Sequence, residues 1–374
     1  MTKIREYFIQ TVEFSKLLQA LLSSGKVNAI VAVQQKKDRI SLAPLIITDA
    51  DSIPDLPVLN YIVYGYDSPD TPAGIIHRQL NGARDQRIAY IGRPDDHYAL
   101  IELAKRKQVV LENIISITIE GIGTVNAKKL ARRLKELKID PATITKEILT
   151  KDALLLMDES GGETSVLFDE KLQIDDNFGL HDDIASDIFI STVGLPGSES
   201  ELYIAAGTAL GEEILNLSSG SLKPIQDEYV TRKDTLLSEA YQELSGKLNQ
   251  KQENWDAYSS GEKYAQLAKC TMCGMCITVC PVCFCKDCNL KAQRKEKTIT
   301  SGATYQLTRL AHDGDACIGC GRCNTVCPVN VPLSNFLIAI RNGIKSKFNY
   351  EAGASLDTAP LRSHASICGE KSSI

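Results

Sequence analysis

The chemistry of this chain sits in its cysteines, and none of the twelve comes before Cys270. Two runs repeat one spacing: Cys270-x-x-Cys273-x-x-Cys276-x-x-x-Cys280-Pro281 and Cys317-x-x-Cys320-x-x-Cys323-x-x-x-Cys327-Pro328. Three thiols three residues apart, followed by Cys-Pro, is the bacterial ferredoxin spacing for cubane [4Fe–4S] clusters. Thiolate sulfur is soft and anionic and matches iron in a cubane. In two-cluster ferredoxins the fourth cysteine of each run ligates the other cluster. One cluster is therefore expected on Cys270, Cys273, Cys276 and Cys327, the other on Cys317, Cys320, Cys323 and Cys280. The crossing ties the two halves together and brings the cubes close enough for rapid electron hopping. Gly274, Gly319 and Gly321 supply the backbone freedom that such tight loops need.

Disulfides would require an oxidising compartment. Structural zinc sites usually pair two C-x-x-C knuckles, which is not the pattern here. Cys283, Cys285, Cys288 and Cys368 remain. The first three form a C-x-C-x-x-C, and with Cys368 they make a third set of four. The alternative is that Cys283 and Cys285 pack as small hydrophobes. The histidines, at 77, 97, 181, 312 and 364, form no nucleophile–base pair with a neighbour in sequence. His312, just upstream of Cys317, is placed either to hydrogen-bond near a cluster or to lie on the surface.

Holding these thiols falls to a chain of 374 residues, 43% hydrophobic, enough for about two domains. Its 42 basic and 47 acidic residues leave a net charge of −5, so no basic surplus points to nucleic acid. No stretch approaches the roughly 18–20 apolar residues of a membrane span. The start, Met1 to Glu6, lacks a secretory signal, and a cytoplasmic protein is expected.

Residues 1–225 alternate short apolar runs with helical patterns. Helices are expected at Phe14–Leu22, Tyr98–Gln108 and Asn126–Leu137. Strands are expected at Val27–Val33, Leu45–Thr48, Tyr61–Tyr64, Arg87–Ile91, Ile114–Ile119, Ile188–Val193 and Glu201–Ala206. This alternation predicts an α/β domain with a mainly parallel sheet. Ser160-Gly161-Gly162-Glu163 reads as a hairpin turn. Residues 226–267 read as a helical connector broken around Ser259–Gly261, 268–345 as a dicluster-ferredoxin-like [4Fe–4S] domain, and 346–374 as an irregular tail. Lys291, Arg294, Lys295 and Lys297 form either a solvated face or a docking patch for an acidic redox partner.

Several segments together resemble the beta-subunit family of coenzyme F-420 hydrogenases and dehydrogenases, including formate dehydrogenase beta subunits. Arg87 to Leu100 is similar to the family's strand, glycine-proline turn and helix, and Ile114 to Val125 to its next strand and loop. Ala185 to Gly194 resembles the Ala-Asp-Ile-Ser-x-Gly region, and Cys280 to Cys288 the cysteine-rich stretch of formate dehydrogenase beta subunits. The departures are definite. Asp95 and Gly121 stand where the family commonly has cysteine, and Asp176 to Asp183 carries no thiol where a cysteine pair is common. The family's own α/β-domain cluster therefore lacks its cysteines. Asp95, Asp96 or His97 is a rival fourth ligand for Cys283, Cys285 and Cys288; otherwise Asp95 caps the helix beginning near Tyr98.

The resemblance implies FAD, a deazaflavin or similar hydride donor, and electron passage through clusters to a partner catalytic subunit in a hetero-oligomeric complex. Gly121-Ile-Gly123-Thr124 lies between a strand and a helix, where backbone amides could cradle phosphate, with Lys128 and Lys129 favouring an anion. It lacks the third glycine of G-x-G-x-x-G, and an ordinary tight turn is the other reading. The alternative function is a flavin-free docking scaffold presenting a dicluster wire.

Overall fold

Apolar runs bounded by turn residues become strands β1 (Arg5–Gln10), β2 (Ala29–Gln35), β3 (Leu42–Ile47), β4 (Ile88–Gly92), β5 (Ile114–Glu120), β6 (Ile144–Leu149), β7 (Ala153–Asp158), β8 (Glu163–Leu167), β9 (Ile188–Ser191), β10 (Glu201–Ala206) and β11 (Lys223–Pro224). Among them lie helices α1 (Thr11–Ser23), α2 (Pro72–Arg78), α3 (Pro94–Lys105), α4 (Ala127–Leu137) and α5 (Ala209–Leu215). The rest is helical: α6 (Asp227–Asp256), α7 (Ser260–Ala268), α8 (Met275–Thr278), α9 (Asn289–Lys295), α10 (Gly302–Asp313), α11 (Arg322–Thr325) and α12 (Leu333–Phe348). The computed structural model describes residues 3–36, 40, 42–53, 71–174, 184–195, 201–285 and 287–362. The strand expected at Tyr61–Tyr64, His181, His364 and Cys368 lie outside the described residues.

The large sheet has the order β11-β1-β10-β9-β5-β4-β2-β3. Its centre, β2, β4, β5 and β9, is parallel. Strand β3 on one side and β10, β1 and β11 on the other join antiparallel. Strand β3 starts earlier than expected and includes Pro44, which an edge strand tolerates because one side of its ladder is unpaired. A separate antiparallel sheet, β6-β7-β8, was not expected from the sequence. Its second turn is the Ser160–Gly162 hairpin, where Asp158 Oδ1 accepts from the amides of Ser160 (2.8 Å) and Gly162 (2.9 Å). Helix α4 is N-capped by Asn126, with Leu130 and Leu134 buried; Leu137, expected on the same face, is exposed at the helix end.

One face of the large sheet packs on α1 through Phe14, Leu17, Leu18 and Leu21. The other face carries α2 and α3, and beyond them Val282, Phe284, Ala316, Ile318 and Cys320 join the same apolar core. Helix α3 is thus sandwiched between sheet and cysteine-bearing segment, and every residue from Asp95 to Leu103 is buried. Polar groups on such a helix need internal partners. Glu102, fully buried, pairs with Lys105 at 2.8 Å and Arg106 at 2.8 Å, and accepts from Tyr350 Oη (3.0 Å) and the Gly353 amide (3.0 Å). Arg106 also reaches Asp315 at 3.1 Å. Residues 349–362, without helix or strand, are therefore anchored onto α3. Helix α6 reaches from the large sheet to the cysteine-bearing part: Tyr229 Oη donates to Val193 O at 2.7 Å, and Trp255 stacks edge-on with Phe336 of α12 at 4.6 Å.

Candidate metal centre

The two cysteine loops share one backbone path. Met272 and Gly274 take φ of +56° and +81° in the first; Gly319 and Gly321 take +79° and +68° at the matching positions of the second. The left-handed residue at the fifth position launches a single helical turn in each case, α8 and α11. Glycine fills that place in both loops because a side chain there is strained. Backbone amides are directed at sulfur: Met272 N lies 3.2 Å from Cys270 Sγ, and Val331 N lies 3.2 Å from Cys327 Sγ. Helix α10 presses on the first loop so closely that a Cβ on Gly302 would sit 2.2 Å from the Cys270 carbonyl. From that helix Gln306 Nε2 donates to Cys270 Sγ at 3.0 Å.

Cys280 lines one cavity together with Cys317, Cys320 and Cys323. Cys270, Cys276 and Cys327 share an apolar cluster with Ile277, Leu290, Tyr305 and Leu333. Burial pushes the Cys276 thiol up, with Arg309 opposing it, and pushes Cys323 up to about 12. A bare thiolate is disfavoured at such sites, so ionising them takes the compensating charge of bound iron. A single zinc ion would draw its ligands to within about 2.3 Å of one point. Among the described residues no three His, Cys, Asp or Glu converge in that way. The donor set, the loop amides and the two-loop arrangement fit polynuclear iron–sulfur groups.

The two loops differ in setting. Cys320 and Cys323 are buried and Cys273 is exposed. In the second loop Ile318 and Arg322 are buried, and Arg322 Nη2 meets Asp95 Oδ2 of α3 at 3.1 Å. Asp95 lies inside the first turn of the helix, not at its cap, and does not line the cavity of Cys283, Cys285 and Cys288. Helix α3 starts at Pro94, four residues earlier than expected, and Asp96 Oδ2 accepts from the Arg93 amide at 3.1 Å. His97 Nδ1 is hydrogen-bonded to Tyr90 Oη at 3.0 Å, and burial lowers its pKa to about 4, leaving it neutral. Asp95, Asp96 and His97 thus have Arg322, the Arg93 amide and Tyr90 as partners, and none of the three lines the cavity of the C-x-C-x-x-C thiols. Those thiols instead line a cavity with Arg309, His312 and Asp313 of α10, a grouping that sequence distance concealed.

Gly121, Gly123, Thr124 and Lys128 do not converge into a phosphate cradle. Ile174 lies over Gly123, 2.4 Å from where a Cβ would stand; Thr124 is buried; Lys128 points to solvent. The Lys129 amide is occupied by Asn126 Oδ1 at 3.1 Å. A cavity of about 260 Å³ opens beside this loop, at the carboxyl ends of β5 and β9. Ile122, Val193, Leu236 and Leu244 form apolar walls, and the charged lining is mixed, with Lys146, Lys151 and Lys247 among Glu147, Glu201, Glu239 and Glu243. Ligands of open α/β sheets bind outside the carboxyl ends of parallel strands.

Residues 266–331 match the 4Fe-4S dicluster domain family. The beta subunit of F420-dependent formate dehydrogenase 1 from Methanococcus maripaludis is 26% identical over 92% of this chain and 90% of its own length. The F420-dependent formate dehydrogenase beta subunit of Methanocaldococcus jannaschii is 24% identical, covering 92% of each. A chain of the F420-reducing [NiFe] hydrogenase complex from Methanosarcina barkeri has a TM-score of 0.50 at 12% identity, over 67% of this chain and 93% of that one, a likeness of fold. Among the described residues no helix is long and apolar enough to cross a membrane. Over 92% of its length this chain is therefore similar to F420-dependent formate dehydrogenase beta subunits, and its C-terminal part carries a 4Fe–4S dicluster domain.

Proposed function

We propose that the chain is the electron-transfer subunit of a multi-subunit oxidoreductase, passing electrons between FAD, served by a deazaflavin hydride donor, and two [4Fe–4S] clusters that connect to a catalytic partner subunit. The observation that carries this reading is the cavity shared by Cys280 with Cys317, Cys320 and Cys323, the crossed ligand set of a two-cluster ferredoxin. Cys270, Cys273, Cys276 and Cys327 hold the other cluster. Relatives named for F420-dependent formate dehydrogenase supply the deazaflavin and formate part of the proposal.

Bound FAD would supply the exchange between two-electron hydride chemistry and single electrons. The cavity at β5 and β9 takes its ring system: about 260 Å³ is a little below the roughly 300–1,000 Å³ of whole small-molecule sites. Strand β4, beside β5 in the sheet, leads at its carboxyl end into Arg93 and Asp95, and Asp95 holds the Cys320 loop through Arg322. Neighbouring strands are about 4.8 Å apart. The cavity and the inner cluster loop therefore lie along one edge of the sheet. At the other end of the relay, exposed Cys273 and exposed Lys291, Lys295 and Lys297 offer a positive landing surface for an acidic redox partner.

The test is acid release of cofactor from protein purified without oxygen. About one flavin per chain alongside iron–sulfur absorbance is expected. Iron–sulfur absorbance with no flavin in the supernatant would replace this reading with a flavin-free docking scaffold.

A further inference from the structure

We propose that Cys283, Cys285, Cys288 and His312 hold a third [4Fe–4S] cluster. The inference rests on reading the ferredoxin cysteines as cluster ligands, and it assigns the thiols that the dicluster pattern leaves over. Cys283, Cys285 and Cys288 do not merely fill the core. They line a cavity that adjoins that of Cys280, Cys317, Cys320 and Cys323, the two sharing Val282, Arg309 and Asp313 as walls.

The fourth ligand comes from the last turn of α10. Of the two donors there, Asp313 is already opposed by Arg309, whose Nε stands 3.3 Å from Asp313 Oδ2. His312 has its carbonyl engaged by Arg362 Nη2 at 2.9 Å, which pins the turn, while among the described residues its ring makes no hydrogen bond. The imidazole lines the same cavity as the three thiols and is a competent ligand for iron.

Arg309 is an independent pointer. It is 1% exposed, its Nη2 donates to the Cys276 carbonyl at 3.0 Å, its Nε faces Asp313, and its Nη1 is buried without a hydrogen bond. It lines both cavities. A buried guanidinium with unused N–H groups demands more negative charge than Asp313 alone provides. Anionic clusters on its two sides supply that charge and accept those hydrogens. The third cluster then sits one side chain away from the second, with Arg309 between them.

The experiment is iron and sulfide quantitation with low-temperature EPR on the full-length chain, produced and reconstituted anaerobically. The wild-type chain is expected to hold about twelve irons. Cys285→Ala should fall towards eight, and His312→Ala should lose iron while changing one EPR signal only. His312→Cys, which restores a fourth ligand, should keep the wild-type iron content with that same signal shifted, and Asp313→Asn should keep it with little change. About eight irons in the wild-type chain overturns the third cluster and leaves the dicluster reading standing; a content well below eight overturns the dicluster reading itself. Unchanged iron and EPR in His312→Ala, or loss in Asp313→Asn instead, overturns the assignment to the histidine.

Discussion

The two ferredoxin loops are one motif in two environments. Their spacing is identical, their backbones turn left-handed at the same two positions, and each launches a single helical turn. Yet Thr271 and Met275 in the first loop are exposed, while their counterparts Ile318 and Arg322 are buried against α3. The thiol pattern determines what is bound; the residues between the thiols determine where the bound group stands. Ile318 and Arg322 make the second loop the inner one, and the first is left facing outward with Cys273.

The strongest challenge to this contrast is to loosen the surface on which the inner loop sits. Glu102→Ala leaves Lys105 buried without its carboxylate and Arg106 with Asp315 alone, which should cost about 3–5 kcal/mol in denaturant unfolding. A loss under about 1 kcal/mol would mean that α3 does not anchor the cluster unit. Next in size, exchanging the sixth residue of each loop should have unequal effects. Arg322→Met strands Asp95, which retains only Arg93 at 3.9 Å, and should cost about 2–3 kcal/mol. Met275→Arg, on the exposed loop, should stay within about 0.5 kcal/mol. Equal costs would erase the distinction between inner and outer loop.

A charge reversal sharpens the outward half of the contrast. Lys291→Glu with Lys295→Glu should slow reduction of an acidic acceptor protein about tenfold at low salt, with the difference shrinking as salt rises. The inner contact should also carry a pH dependence. Burial, then neighbouring Asp95, raises the Asp96 pKa to about 7. With its folded pKa above the unfolded value, this carboxyl favours folding fully only while protonated. Its contribution declines as pH rises from about 4 towards 7. Asp96→Asn keeps an acceptor for the Arg93 amide and removes the decline, so the variant should gain stability at pH 8 and not at pH 4.

How much of this was legible in the sequence follows from the range of each signal. Cysteine spacing is local, and so is the alternation that marks β2, β4, β5 and β10. Strand β1 was not read, because Arg5-Glu6-Tyr7 looks like a surface segment until β10 and β11 pair with it. The β6–β8 sheet hid in the same way: its second turn was recognised, but its half-exposed strands carry weak alternation. Most consequential was α3. From sequence, Asp95, Asp96 and His97 were candidate cluster ligands or, for Asp95, a helix cap, and Glu102 carried no signal at all. The packing of the cluster unit against α3 explains Asp95 and Glu102, through Arg322, Tyr350 and, by way of Arg106, Asp315, each more than 200 residues away in sequence from its partner on this helix. The four-residue phosphate loop failed for a related reason: nothing local announced that Ile174 covers Gly123.

The most direct test of the inner and outer assignment is EPR power saturation of the reduced protein with and without a soluble dysprosium chelate, which relaxes only spins near solvent. Signals are assigned to each loop by Cys273→Ser and Cys320→Ser. The signal lost in Cys273→Ser should relax strongly with the chelate, and the signal lost in Cys320→Ser should change little. Equal responses, or a stronger response from the Cys320 cluster, would contradict the account.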